Sequence, residues 1–186
     1  EKKEHFKMKI DKKIKYSKRT FLSKIFIFGN IFYLSSLNFS KGNEPKNQRN
    51  QVDLIVIWKS KRKMSLFSKK KHIKTYNIKL GFNPIGPKQR EGDGKTPEGR
   101  YLITHHNPNS AYHLSLGLNY PNKKDKENAL KKGFDAGGNI FIHGGPNNFL
   151  TQLFLDWTKG CIAVYDHEIE EIYRMVPDGT TVYIYS

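Results

Sequence analysis

The sequence contains a single cysteine, Cys161, and is short of acids, with 17 Asp and Glu against 33 Lys and Arg in 186 residues. One thiol excludes an intramolecular disulfide, so no covalent staple supports the fold. Its place late in the chain also excludes the lipid-modified cysteine of a lipoprotein. Two roles stay open for it: a small buried filler or a reactive thiol. Metal-ligand spacing is lacking as well. His105, His106, His113 and His143 include no i, i+4 pair, so neither a metal nor another cofactor is expected. The stretch "GDGKT", residues 92–96, ends like a phosphate-binding loop, but the position five before Gly94 is Gln89 rather than glycine. Read as a calcium loop, the same stretch lacks the further acidic ligands and the closing Glu.

No uncharged apolar run reaches the ~20 residues of a membrane-spanning helix. The candidate run, "IFIFGNIFYLSSLNFS", covers residues 25–40 and has sixteen. Ten Lys and Arg against three acids precede it, which places +7 of the formal charge of +16 in residues 1–24. A basic segment followed by an apolar one is the pattern of an export signal. No A-x-A-like cleavage site is visible, so a cleaved signal and an uncleaved signal anchor both stay open. The expected destination is the periplasm or cell envelope, with membrane contact through the N-terminal segment if it is retained. The other lysines are scattered through turns, which suits attraction to an anionic wall or membrane. No nucleic-acid partner is expected.

Residues 41–51, "KGNEPKNQRNQ", lack large apolar side chains and read as a linker between residues 1–40 and a domain over 52–186. With 37% hydrophobic residues the chain supports one core of ordinary size. Within the domain, short segments predict strands: "VDLIVIW" (52–58), "KMSLF" (63–67), "TYNIKL" (75–80), "RYLIT" (100–104), "AYHLSLGL" (111–118), "NIFIH" (139–143) and "TTVYIY" (180–185). Residues 123–132 predict a short polar helix. A second helix is predicted from Asp166 as N-cap, with Ile169, Ile172, Tyr173 and Val176 on one face. Residues 81–99 are too rich in Gly and Pro for regular structure, and loops of that length are commonly functional. The fold class is mainly β with one or two surface helices.

His143 ends an apolar strand, and Cys161 follows eighteen positions later, directly after Gly160. A thiol needs a base to act as a nucleophile near neutral pH, and a strand-end histidine is well placed to be one. A glycine before the nucleophile allows a sharp turn, so adjacent N–H groups can point at a developing oxyanion. Lys159 adds a nearby positive charge, which is expected to favour the thiolate. The competing reading makes Cys161 core filler and His143 a satisfied strand-end residue.

His143 followed by "TKGC", residues 158–161, resembles the L,D-transpeptidase (YkuD-type) catalytic domain, whose signature is a histidine, a gap of this length and [Ser/Thr]-x-Gly-Cys. "KTPEGRY" (95–101) is similar to that family's Thr-Pro-x-Gly-x-aromatic segment, and "YHLSLGLNYPN" and "GCIAV" look most like its YafK-like branch. The resemblance covers residues 52–185. It implies a mixed, mainly β, sandwich- or barrel-like fold with the cysteine in a cleft. It also implies action on peptidoglycan stem peptides: Cys161 attacks the carbonyl of the third residue, releases D-Ala and forms a thioester. An amine of another stem resolves the thioester as a 3-3 crosslink, or water resolves it as in a carboxypeptidase. By the same carry-over His143 is general base and acid, the Gly144 carbonyl orients its imidazole, and the N–H groups of Gly160 and Cys161 form the oxyanion hole. Thr158, Lys159 and His113 become candidates for substrate binding. Lys159 stands where many members carry a second histidine, and His113 is a candidate to replace that imidazole in the cleft. A hydrolase on the same scaffold, with wall-linked proteins as further partners, and a non-catalytic wall-binding module are the alternative functions.

Overall fold

The computed structural model of the chain describes residues 51–146 and 148–186. The apolar run 25–40 and most of the linker 41–51 lie outside these residues. Among the described residues, no helix is long and apolar enough to cross a membrane. The elements, in chain order, are β1 (Leu54–Trp58), β2 (Lys63–Ser68), β3 (Lys71–Asn77), β4 (Gly99–Ser110), β5 (His113–Leu118) and α1 (Lys123–Leu130). They continue with β6 (Phe141–His143), α2 (Phe149–Gln152), β7 (Ile162–Ala163), α3 (Asp166–Met175) and β8 (Thr181–Tyr185).

The strands form one sheet in the order β3-β2-β1-β8-β4-β5-β6-β7, antiparallel except for the β1/β8 and β6/β7 pairs. β4 is what lets this sheet curl. Its first residues, Gly99 to Leu102, pair with β8, and from Ile103 onward it pairs with β5, with a register shift between Ile103 and His105. A bulge of this kind bends a strand and increases its twist. The two ends of the sheet then meet: Lys79, two residues beyond β3, and Ala163 of β7 exchange backbone hydrogen bonds of 2.9 Å in both directions. The fold is therefore mainly β and barrel-like, as expected.

β1 reads as a continuous apolar run because it is central, with Ile55, Val56 and Ile57 all buried. Around it the core gathers Met64 and Leu66 of β2, Val182 and Ile184 of β8, and Ile142 and Ile162 of β6 and β7. From α3, Ile169 and Ile172 complete it. The ladder of β3 differs from the predicted strand 75–80, beginning earlier and stopping at Asn77. The alternation persists past that point, since Tyr76, Ile78 and Leu80 are all buried. Beyond the ladder, Ile78 N–H donates to the Arg62 carbonyl at 3.0 Å and Lys79 turns to β7. β4 likewise runs six residues past the predicted "RYLIT". Asp166 is the first residue of α3 rather than its cap. Glu168 accepts the Tyr165 N–H at 3.0 Å, which makes Tyr165 the N-cap and frees the Asp166 carboxylate for another partner.

The Gly/Pro-rich segment 81–98 is held by buried charge. Lys59, at the end of β1 and 3% exposed, donates to the Gly86 carbonyl at 2.6 Å, the Thr96 carbonyl at 2.9 Å and Glu98 Oε1 at 3.1 Å. Burial lowers its pKa, against the opposing pull of Glu98. Asp93, at the centre of "GDGKT", accepts N–H groups from Gln89 (2.8 Å), Arg90 (3.1 Å) and Lys95 (3.0 Å), and the Lys88 ammonium at 2.8 Å. Burial works against this carboxylate, yet those donors outweigh it and hold its pKa below the usual range. Amides that would cradle a phosphate are thus spent on a side chain of the loop itself. Replacing Lys59 with Met strands two carbonyls and a carboxylate in the interior. Denaturant titration is expected to show a loss of about 3 kcal/mol with an unchanged m-value; a loss below ~1 kcal/mol would show that the loop is held by other means.

Candidate active site

His143 closes the three-residue strand β6, paired with Ser115 on one side and with Ala163 on the other. Its side chain is buried, at 3% exposure. Nδ1 lies 2.6 Å from the Gly144 carbonyl. A carbonyl only accepts, so the proton resides on Nδ1 and Nε2 is left as the basic nitrogen. Burial pushes the imidazole pKa below its usual value, and the Gly144 carbonyl opposes that shift in part. Two rings enclose the imidazole. Tyr112 stacks on it at 4.7 Å and 25°, and Trp157 meets it edge-on at 5.7 Å and 68°. Behind it, Gly144 is pressed against the start of α3, where a Cβ would lie 2.5 Å from Asp166 Oδ1. That same oxygen accepts the Gly145 N–H at 2.7 Å.

Cys161 arrives on a segment tied down at nearly every residue. Asp156 forms a bidentate pair with Arg62, at 3.0 and 2.5 Å, and accepts the Leu80 N–H at 2.9 Å. Trp157 and Thr158 both donate their N–H groups to the Leu80 carbonyl at 3.1 Å. The buried Thr158 hydroxyl donates to the Cys161 carbonyl at 2.7 Å and accepts the Gly160 N–H at 3.1 Å. Gly160 has a φ of +129°, and a Cβ there would approach the Lys95 carbonyl to 2.6 Å, so only glycine fits this turn. The half-exposed Cys161 thiol donates to the Asn139 carbonyl at 3.4 Å.

The parallel β6/β7 register brings His143 and Cys161 to neighbouring chain segments. Ala163 lies opposite His143, and Cys161 directly precedes the two-residue β7. Among the described residues no hydrogen bond joins thiol to imidazole, an arrangement common in catalytic pairs without substrate. Of the two N–H groups expected to face an oxyanion, that of Gly160 is bonded to Thr158 Oγ1, whereas that of Cys161 has no acceptor among the described residues. Lys159 is exposed and is not the cation that acts on the thiol. The charge that pulls the thiol pKa down is that of Lys88, whose ammonium is bonded to Asp93 and the Arg90 carbonyl within the 81–98 loop. His113 is not in the cleft either. With a φ of +66° it closes the β4–β5 turn and pairs at 2.9 Å with Glu170 on α3. Its neighbour Tyr112 is the residue that reaches His143.

Burial raises the Cys161 pKa above the ordinary thiol value, and the Phe141 N–H and Lys88 offset this only in part. With the imidazole lowered and the thiol raised, the resting pair is neutral. The thiolate expected from Lys159 is not preformed. Alkylation of Cys161 by iodoacetamide, followed against pH, is accordingly expected to inflect above ~8.5, the value of a free cysteine, and to be unmoved by Lys159→Ala. An inflection below 8 would contradict this electrostatic account.

The family model of the YkuD L,D-transpeptidase catalytic domain matches residues 52–184. The Escherichia coli (strain K12) protein named "Putative L,D-transpeptidase YafK" is 30% identical over 128 residues, which cover 66% of this chain and 46% of that protein. Among solved structures, the helical cell shape determining protein Pgp2 of Campylobacter jejuni aligns with a TM-score of 0.58 at 28% identity, over 73% of this chain and 48% of that one. Bd1075 of Bdellovibrio bacteriovorus shares the fold, with a TM-score of 0.54 at 23% identity over 75% of this chain and 50% of that one. The chain thus spans about half the length of these relatives. The family match runs from before β1 to Ile184 of β8 and includes both His143 and Cys161, and the chain belongs to the YkuD L,D-transpeptidase catalytic domain family.

Proposed function

We propose that the chain is an exported cysteine peptidyltransferase acting on peptidoglycan stem peptides in the cell envelope. In this reading residues 1–40 serve as export signal or anchor, 41–51 as linker and 52–186 as catalytic domain. The observation that carries the reading is the convergence of a Gly144-bonded imidazole and a half-exposed thiol on the paired β6 and β7 segments, beside an uncommitted Cys161 N–H.

The neutral pair dictates how the chemistry runs. His143 Nε2 takes the thiol proton as sulfur adds to the carbonyl carbon of the third stem residue, so proton transfer and attack are coupled. The oxyanion faces the Cys161 N–H. Its collapse breaks the C–N bond to D-Ala, whose nitrogen receives the proton from the imidazolium and leaves. The acyl group remains on sulfur as a thioester. An amine of a second stem attacks that thioester, gives its proton to His143 and releases the thiol, leaving a 3-3 crosslink. Water in place of the amine gives the tripeptide.

The full chain, solubilised in mild detergent and incubated with disaccharide tetrapeptides, is expected to yield dimers lacking one D-Ala by mass spectrometry. Monomeric tripeptides alone would replace transfer with hydrolysis. Cys161→Ala should abolish either product, and His143→Gln should lower kcat by about 10²-fold or more. Activity requires a neutral imidazole and His143 is lowered, so the acid limb of the rate profile should fall below the ordinary histidine range of ~6.5. If neither product forms, and Cys161→Ala matches wild type on whole sacculi, the chain is a wall-binding module and no enzyme.

A further inference from the structure

The Nδ1 bond to Gly144 is a single tether from a ring to the next residue of its own backbone. It selects the tautomer only while the ring stays aligned with that carbonyl, and one bond does not stop the ring from tilting away. A shuttle whose Nε2 must meet first a thiol and then a leaving nitrogen needs its plane held. The only rings in contact with the imidazole among the described residues are Tyr112 and Trp157, and they meet each other as well, at 5.4 Å and 56°. They come from opposite sides of the molecule's sequence: Tyr112 from the β4–β5 turn, Trp157 from the segment that delivers Cys161. We propose that Tyr112 and Trp157 are positioning residues that clamp the His143 imidazole in its proton-transfer plane, an inference that rests on the transferase reading above.

Each ring carries its own sign of this role. Trp157 is fixed by its backbone bond to Leu80, and its indole N–H is buried without a hydrogen-bond partner. A buried donor left unpaired is unfavourable, so this ring is not there for its polar atom. What it contributes is shape, a face to Tyr112 and an edge to His143. Tyr112 is 39% exposed, at the tip of a two-residue turn, where a small polar residue would serve the hairpin as well. Its ring instead stacks on one face of the imidazole. The stacked geometry also offers a π face to the imidazolium formed in the reaction.

The titratable groups around His143 are the Tyr112 phenol from the β4–β5 turn, the Cys161 thiol before β7 and the Asp166 carboxylate at the start of α3. Of these, only the Tyr112 side chain lies in ring contact with the imidazole. The test uses the full chain in mild detergent with ¹⁵N-labelled histidine, so that NMR reads the tautomer and titration of His143 without need of turnover. Tyr112→Phe keeps the ring and should leave tautomer, titration and turnover as in wild type. Tyr112→Ala should mix the two neutral tautomers, move the titration upward toward ~6.5 and lower kcat about tenfold with KM unchanged. Trp157→Leu should change the tautomer ratio and kcat in the same sense. The clamp is refuted if Tyr112→Ala and Trp157→Leu, each with a wild-type unfolding midpoint, leave the His143 spectrum unaltered. A wild type without turnover, but with a His143 spectrum that responds to these variants, would overturn the transferase reading and uphold the clamp.

Discussion

The structure turns on one place where backbone packs against backbone with nothing between. A Cβ on Gly160 would lie 2.6 Å from the Lys95 carbonyl, and one on Gly81 would lie 2.1 Å from the Gly94 carbonyl and 3.0 Å from the Gly160 Cα. The chain leaving β3, the irregular 81–98 segment and the turn before the cysteine are therefore three layers of one contact. None can shift alone, because interiors are packed too closely to absorb even a methyl group without rearrangement. The position of the thiol is set by this contact more than by β7, which at two residues is too short to fix anything by itself.

Such a contact is useful only if the irregular layer is rigid, and here the distribution of lysine matters. Most of the described lysines are at the surface, but Lys59 and Lys88 are buried and satisfied by carbonyls and carboxylates of the 81–98 segment. They act as internal staples in a protein that has no disulfide. Lys88 also reaches the thiol electrostatically, so the same ion that orders the loop biases the site. Its effect is too small to overcome burial. The resting state is neutral thiol and neutral imidazole, a pair that in the proposed chemistry gains reactivity when substrate excludes water and aligns the proton transfer.

How much of this was legible in the sequence follows from what each residue depends on. α3 was readable because its burial follows a local period, β1 and β2 because short apolar runs stand between Lys-rich turns, α1 from its polar run ending at Gly133, and Cys161, Gly160 and His143 because their order and spacing form a signature. The second half of β4, "HHNPNS", carries no apolar alternation and is a strand only because β5 pairs with it. Lys159 misled because adjacency in sequence is not proximity in space: a side chain beside a left-handed glycine leaves the turn on its outer face. Tyr112 and His113 make the same point within two residues. The histidine had the better chemical claim to the cleft, but its left-handed backbone sends it to Glu170 and leaves the ring contact to its neighbour. Lys88, seventy-three positions before Cys161, had no sequence signal at all.

Thr158 unites the remaining details. Its hydroxyl bridges the Gly160 N–H and the Cys161 carbonyl, so one side chain determines the orientation of both peptide units flanking the turn. The peptide unit between them, which carries the Cys161 N–H, has no hydrogen-bond partner among the described residues. A single preorganised donor stabilises an oxyanion less than two do, which in the proposed chemistry places more weight on the proton held by His143. That dependence explains why the imidazole, rather than the thiol, is the group this fold surrounds on every side: by the Gly144 carbonyl, two aromatic rings and the first turn of α3.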